Sequence, residues 1–372
     1  MIDALARALI DLIQAQVTLT WRVADKTSPK HLMWQTFGHE KAMRTLSRSI
    51  EAGRIAHSYL ITGPAKVGKT TLALDIARAA NCSCGGTPCA ACRQCQRITS
   101  QLHPDVRIIG LEPARSGRLR TQISIEQVRE IQRDASLLPY EGRSRVFIFE
   151  SAEKLSGEAA NSLLKTLEEP PENVIIILVA SDLNSVLPTL VSRCRRIDLR
   201  PAPLNTVSEF LVERKNVNRE RADEIAGLSG GRIGWAIEAA ANPRIIDEIW
   251  ESMDAIERTV SGSLSDRFDY AERLSGRFSA DRQGVLEELN LWQSWWRDAL
   301  LIAQSKRELV VNKSRLDSLL SVSDQTSPES VVSSLKAIRR TVFLLERNVS
   351  PRLAIEGMMM QLPSLSEHRR EG

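Results

Sequence analysis

Two short stretches carry residue types at spacings that do chemistry. GPAKVGKT, Gly63 to Thr70, fits the pattern G-x-x-x-x-G-K-[ST] and lies between the apolar run SYLIT and the helically spaced TTLALDIARAA. In such a loop Gly63 and Gly68 let the backbone curl so that its N–H groups face phosphates, at the positive end of the following helix. Lys69 reaches the terminal phosphates and the Thr70 hydroxyl ligates magnesium, with Thr71 beside it as a further nucleotide contact, so ATP and Mg²⁺ are the ligands this loop suits. The second stretch, CSCGGTPCAACRQC, sets Cys89, Cys92 and Cys95 in a C-x2-C-x2-C array behind Cys82 and Cys84. Four thiolates around Zn²⁺ make a closed structural site, and an iron-sulfur cluster is the chemical rival. Either of the two earlier cysteines can complete the set; Cys82, at the end of the helix after the phosphate loop, is the expected fourth ligand. Cys194, far along the chain, reads as a core thiol.

A third stretch, FIFESAEKLS, bears on hydrolysis. An apolar run ending in an acid is how a buried parallel strand delivers a carboxylate to a nucleotide site, and Glu150 fits the magnesium role. The next residue is Ser151, a hydroxyl with no adjacent base to take a proton from water. Losing a general base costs about 10²- to 10⁴-fold in rate. Glu153, three residues on, is the one acid that could substitute as base, but it reads first as an exposed acid opening the next helix.

The elements that must position these groups are legible as alternating strands and helices. SYLIT, VRIIG, VFIF, NVIIILVAS and RRIDL read as strands, while ISIEQVREIQRDASLL and GEAANSLLKTLEE, stopped by Pro170 and Pro171, have helical spacing. Such alternation predicts an α/β, doubly wound parallel sheet. Past Pro201 the strand signals stop. Trp292, Trp295 and Trp296 share one helix face there, a stripe that reads as core packing rather than as a base-stacking platform.

The 372 residues, 42% hydrophobic and 26% charged, are expected to form two or three cytoplasmic globular domains. No segment has the ~18 apolar residues of a membrane span, and Asp3 and Asp11 interrupt any leader-like start. The net charge of +4 permits contact with nucleic acid without demanding it. Arg107, Arg115, Arg118 and Arg120 form a basic segment that reads as a solvated loop.

From about Trp34 to Pro363 the chain resembles the clamp-loader subunits of bacterial DNA replication, members of the AAA+ family. TFGHEKA, the phosphate loop, PCAACRQC, LPYEGRSRVFIF, NSLLKTLEEPPENVIIIL, LPTLVSRC and NVSPRLAIEGMMMQLP carry the resemblance. The run LLKTLEEPP together with SRC and the zinc cysteines is specific to that family. The resemblance implies a RecA-like AAA+ domain over 33–202 with a zinc module at about 82–95, a helical lid over 203–244 and a helical oligomerisation collar over 245–364. An extension, 1–32, and a polar tail, 365–372, flank them. It implies a place among motor (gamma/tau) and delta subunits in a hetero-pentamer that loads a sliding clamp onto primer-template DNA, away from any membrane. Ser181 falls where the family's first sensor residue stands, and Arg193 matches the arginine supplied in trans to a neighbour's ATP. Motor subunits carry Asp-Glu where this chain has Glu150 and Ser151, and an arginine where it has Gly234, with Arg232 two residues earlier. These departures imply a stator whose own ATPase is weak or absent, within a polymerase complex but not itself a polymerase; the alternative is a self-sufficient motor ATPase of the family.

Overall fold

The computed structural model describes residues 34–84, 88–112, 120–312, 315–347, 349–363 and 365. The extension 1–32, Arg115 and Arg118, and all but the first residue of the 365–372 tail lie outside the described residues.

Five strands form one parallel sheet: β1 (Ser58–Thr62), β2 (Val106–Ile109), β3 (Arg145–Phe149), β4 (Val174–Ala180) and β5 (Arg195–Asp198). Their spatial order is β2-β3-β4-β1-β5. All seven residues of β4 are buried, because helices cover both faces of the sheet and the side chains alternate between them. Ile175, Ile177 and Val179 pack with Tyr59, Ile61, Leu72 and Ile76 on one side. Ile176, Leu178 and Ala180 pack with Phe147, Phe149, Val128 and Leu163 on the other. The first face is covered by the helices Glu40–Glu51 and Lys69–Asn81, and the second by Ile125–Ala135 and Gly157–Glu168.

The sheet register places the chemistry. Thr62 pairs with Ala180, so the phosphate loop and Ser181 leave the sheet side by side at its C-terminal edge, where Glu150 also emerges. Arg195 pairs with Tyr59 at the opposite edge.

Among the described residues the rest is helical. Leu204–Lys215, Arg219–Ser229 and Ile233–Ala241 enclose a small core of Val207, Leu211, Ile225 and Trp235. A larger bundle, from Arg244–Ser261 to Pro351–Met359, closes around Trp292, Trp295 and Trp296, each fully buried, so the stripe is core. The helix Arg244–Ser261 belongs to both units. Ile246 enters the small core, while Met253, Ile256 and Val260 enter the large one. The join therefore runs through a continuous helix, a stiff connection where a loop would hinge.

Candidate nucleotide site and cysteine centre

Gly63 has φ 145° and Gly68 has φ 110°, conformations closed to other residues, and a Cβ on Gly63 would stand 2.3 Å from the Leu199 carbonyl oxygen. Lys69 turns back on its own loop: Nζ donates to the carbonyls of Gly63 at 2.6 Å and Pro64 at 2.7 Å. Burial lowers its pKa, and the Glu153 carboxylate opposes that shift. The Thr70 hydroxyl lies 3.4 Å from Glu150 Oε1, the spacing of a hydroxyl and a carboxylate able to share one magnesium ion. Thr71, one residue into the helix, is half-buried.

Glu153 is not the solvated acid that the sequence suggests. It sits in the short turn Ala152–Lys154, half-buried, with Oε1 accepting from the Ser181 hydroxyl at 3.2 Å. Its Oε2 is enclosed and has no hydrogen-bond partner. The β3 and β4 ends bring Glu153 and Ser181 together from widely separated positions, which no local pattern announces. Ser151 caps that turn with no side-chain hydrogen bond in the cap.

The helix Ile233–Ala241 rests on the phosphate loop. The Gly234 N–H donates to the Lys66 carbonyl at 2.9 Å, and Lys66 Nζ pairs with Glu238 at 2.6 Å. A Cβ at Gly234 would meet the same carbonyl oxygen at 2.8 Å, so this close approach of helix and loop needs glycine. Arg232, two residues earlier, is held by local contacts. Its Nε donates to the Ser229 carbonyl at 2.8 Å and its guanidinium lies 5.7 Å from the Trp235 ring centroid. Burial lowers its pKa against the pull of Glu287, a residue of the helical bundle that lines the same cleft.

Arg193 lies at the other end of the sheet. Its carbonyl accepts from the Ser58 hydroxyl at 2.8 Å, and its guanidinium pairs with Glu168 at 2.5 Å and donates to the Thr189 carbonyl at 3.0 Å. The length of β1, at ~3.3 Å per residue, separates it from its own phosphate loop. Arg193 therefore lies out of reach of this chain's own phosphate loop.

The sulfurs of Cys82, Cys84, Cys89 and Cys92 all lie within 4.8 Å of one another. Cys82 and Cys92 are 4.0 Å apart, close to the ~3.8 Å edge of a tetrahedron built on Zn–S bonds of about 2.3 Å. Cys95, which the sequence puts in the ligand set, is not one of these four, and Cys84 joins Cys82 instead of competing with it; the Cys95 side chain is fully buried beside them. The backbone N–H groups of Cys92 and Cys95 donate to the sulfurs of Cys89 and Cys92. Burial raises the Cys92 pKa, but N–H donors from Cys95 and Ser83 outweigh it and bring it down to about 6. Beside the cluster stands Arg78, fully buried and paired with Asp75. Burial lowers its pKa to about 10, resisted by the charges of Cys95 and Cys89. A cation there offsets the net negative charge of four thiolates on a divalent ion, so the residues present fit a metal. Asp75 also accepts from the backbone N–H groups of Gln35 and Thr36, tying the cluster, the phosphate-loop helix and the chain entry together. The sequence offers no local sign of this buried pair.

Fold, strand order and phosphate loop together define a parallel-sheet P-loop domain with helical units behind it. Residues 38–203 match the family described as DNA polymerase III, delta subunit. Over 350 residues, 93% of this chain and 99% of the relative, the sequence is 24% identical to the DNA polymerase III subunit delta' of Bacillus subtilis. The chain is thus similar to delta-prime of bacterial DNA polymerase III along nearly its whole length. The DNA polymerase III subunit gamma/tau of Mycobacterium tuberculosis is 34% identical over 180 residues, 48% of this chain but only 30% of that protein. A solved gamma subunit-related protein from Thermotoga maritima aligns with a TM-score of 0.42 at 18% identity, over 88% of this chain and 100% of that one. No helix among the described residues is long and apolar enough to cross a membrane.

Proposed function

We propose that the chain works as the delta-prime stator of the DNA polymerase III clamp loader. It joins gamma/tau and delta subunits in a cytoplasmic hetero-pentamer that uses ATP to open a sliding clamp and set it on primer-template DNA. Its contribution is Arg193, a guanidinium offered to the transferring phosphoryl group in an adjacent motor subunit. The observation that carries this reading is the separation of parts. Arg193 sits at the N-terminal edge of the sheet, and this chain's own Lys69, Thr70, Glu150 and Ser181 sit at the C-terminal edge. Ser151 in place of a base and Gly234 in place of an arginine weaken that local site for hydrolysis, and the motor alternative would depend on Glu153, whose carboxylate accepts from the Ser181 hydroxyl there. Where ATP and Mg²⁺ bind, Lys69 and Thr70 hold phosphate and metal while Glu150 supplies the carboxylate. The cysteine cluster holds one structural zinc, drawn from Cys82, Cys84, Cys89, Cys92 and Cys95, that fixes the module to the phosphate-loop helix.

Reconstitution tests this. The isolated chain should turn over ATP negligibly, and Arg193→Ala should leave the complex assembled while slowing turnover at the one ATP site it serves by about 10³-fold or more, the scale of a lost arginine finger, and so lower the ATPase of the complex. An unchanged rate would remove the trans role, and strong turnover by the isolated chain that disappears in Lys69→Ala would remove the stator reading.

A further inference from the structure

A cleft of about 560 Å³ opens beside Arg193 at the N-terminal edge of β1 and β5, and Arg48, Arg54 and Arg195 line it with Thr45 and Ser49. No acidic residue contributes to its wall. Arg195 Nη1 donates to the Ser49 hydroxyl at 2.8 Å, which fixes one guanidinium across the cleft. Among the described residues none of the three arginines pairs with a carboxylate. Three like charges held around one concavity repel one another, and an anion from outside relieves that repulsion. Arg195 follows Arg193 by two residues, and β5 is the edge strand of the sheet, so cleft and finger share one exposed border.

We propose that this cleft is a second docking point for the neighbouring subunit, receiving a carboxylate-rich segment of that protein next to the nucleotide site that Arg193 serves. The proposal rests on the trans reading of Arg193 for the identity of the neighbour. Nucleic acid fits less well. A duplex backbone is tracked by a run of phosphate contacts, often six or more, whereas these charges are confined to one cleft flanked by the exposed Glu40 and Glu51 of the same helix.

The test measures association of the full chain with the gamma/tau-type subunit at low and high salt. A variant with Arg48→Ser, Arg54→Ser and Arg195→Ser should bind about tenfold more weakly at low salt and lose most of its salt dependence. Arg48→Glu, on an exposed helical position that leaves the Arg195–Ser49 bond intact, should weaken binding at least as much without disturbing the fold. Affinity and salt dependence unchanged in both variants would overturn the proposal. So would loss of primed-duplex binding by the isolated chain with subunit affinity intact, which would make the cleft a nucleic-acid site. The Arg193→Ala complex, read by ATPase rate rather than affinity, decides the finger separately.

Discussion

Replacing Gly234 by alanine tests whether the lid contact is what holds the phosphate loop. Helix propensity alone favours alanine over glycine by about 1 kcal/mol within a helix. Against this, the new Cβ would stand 2.8 Å from the Lys66 carbonyl oxygen and 3.4 Å from its carbon, and neither atom is the end of a flexible side chain. Relieving such an overlap typically costs about 1–3 kcal/mol, and the displacement also lengthens the 2.9 Å bond from the Gly234 N–H to Lys66, at about 1 kcal/mol. The Lys66–Glu238 pair is exposed at both ends and contributes little to either side of the balance. The net expectation is a loss of about 1–3 kcal/mol, localised to the junction of loop and lid. Amide hydrogen exchange is the assay, because it reads local opening directly. Amides of Lys66 to Thr70 and the first turn of Ile233–Ala241 should exchange about 5- to 150-fold faster, while β1 and β4 keep their protection. Equal or slower exchange in those segments, with equal or greater thermal stability, would refute the idea that backbone contact between lid and loop is stabilising.

Three further outcomes follow from the same coordinates. The purified chain should contain about one zinc, and Cys92→Ser should abolish it; Arg78→Met leaves the buried Asp75 without its ion pair, at a cost of about 3–5 kcal/mol in stability, and should lower metal affinity about 10- to 100-fold in chelator competition, while an unchanged affinity would remove Arg78 as the balancing charge. Asp105 accepts from the N–H groups of Tyr140, Glu141 and Gly142 at 2.7, 2.9 and 2.8 Å; burial pushes its pKa up, but these donors outweigh it and hold it below the usual 3.8. Its ionised form therefore stabilises the fold above the unfolded-state value and loses that contribution as pH falls through the folded one. Asp105→Asn should cost about 2–3 kcal/mol near neutral pH in denaturant titrations, with the gap from the parent closing in acid below about pH 3.9; a gap constant with pH would contradict the account. Trp295→Ala, in the middle of the large helical core, should cost about 3–5 kcal/mol, and a cost under about 1 kcal/mol would show that the stripe does not organise that core.

Much of this molecule is local and therefore legible in one dimension. A phosphate loop is contiguous, and its two glycines have conformations that only glycine readily takes, so Gly63 to Thr70 could be read directly. The strands announced themselves because a doubly covered parallel strand must be apolar throughout, as β4 is. The cysteine spacing is equally local, although it could not distinguish Cys82 from Cys84, and the fold brings both within 4.8 Å of Cys89 and Cys92. Glu153 was misjudged for a physical reason. A glutamate opening a helical turn usually faces water, and only the approach of β4 sets the Ser181 hydroxyl against it.

The sequence by itself determined the strands, the phosphate loop and the residue types of the cysteine cluster. Each of these is a property of a short segment, fixed by backbone stereochemistry or side-chain chemistry. The tertiary structure decided the relations: that Gly234 lies on Lys66, that Arg78 is buried beside the thiols, and that Arg193 and the phosphate loop occupy opposite edges of one sheet. Those depend on strand order and register, which bring together residues more than a hundred positions apart, as with Ser58 and Arg193. Long-range pairings of this kind leave no spacing signal along the chain.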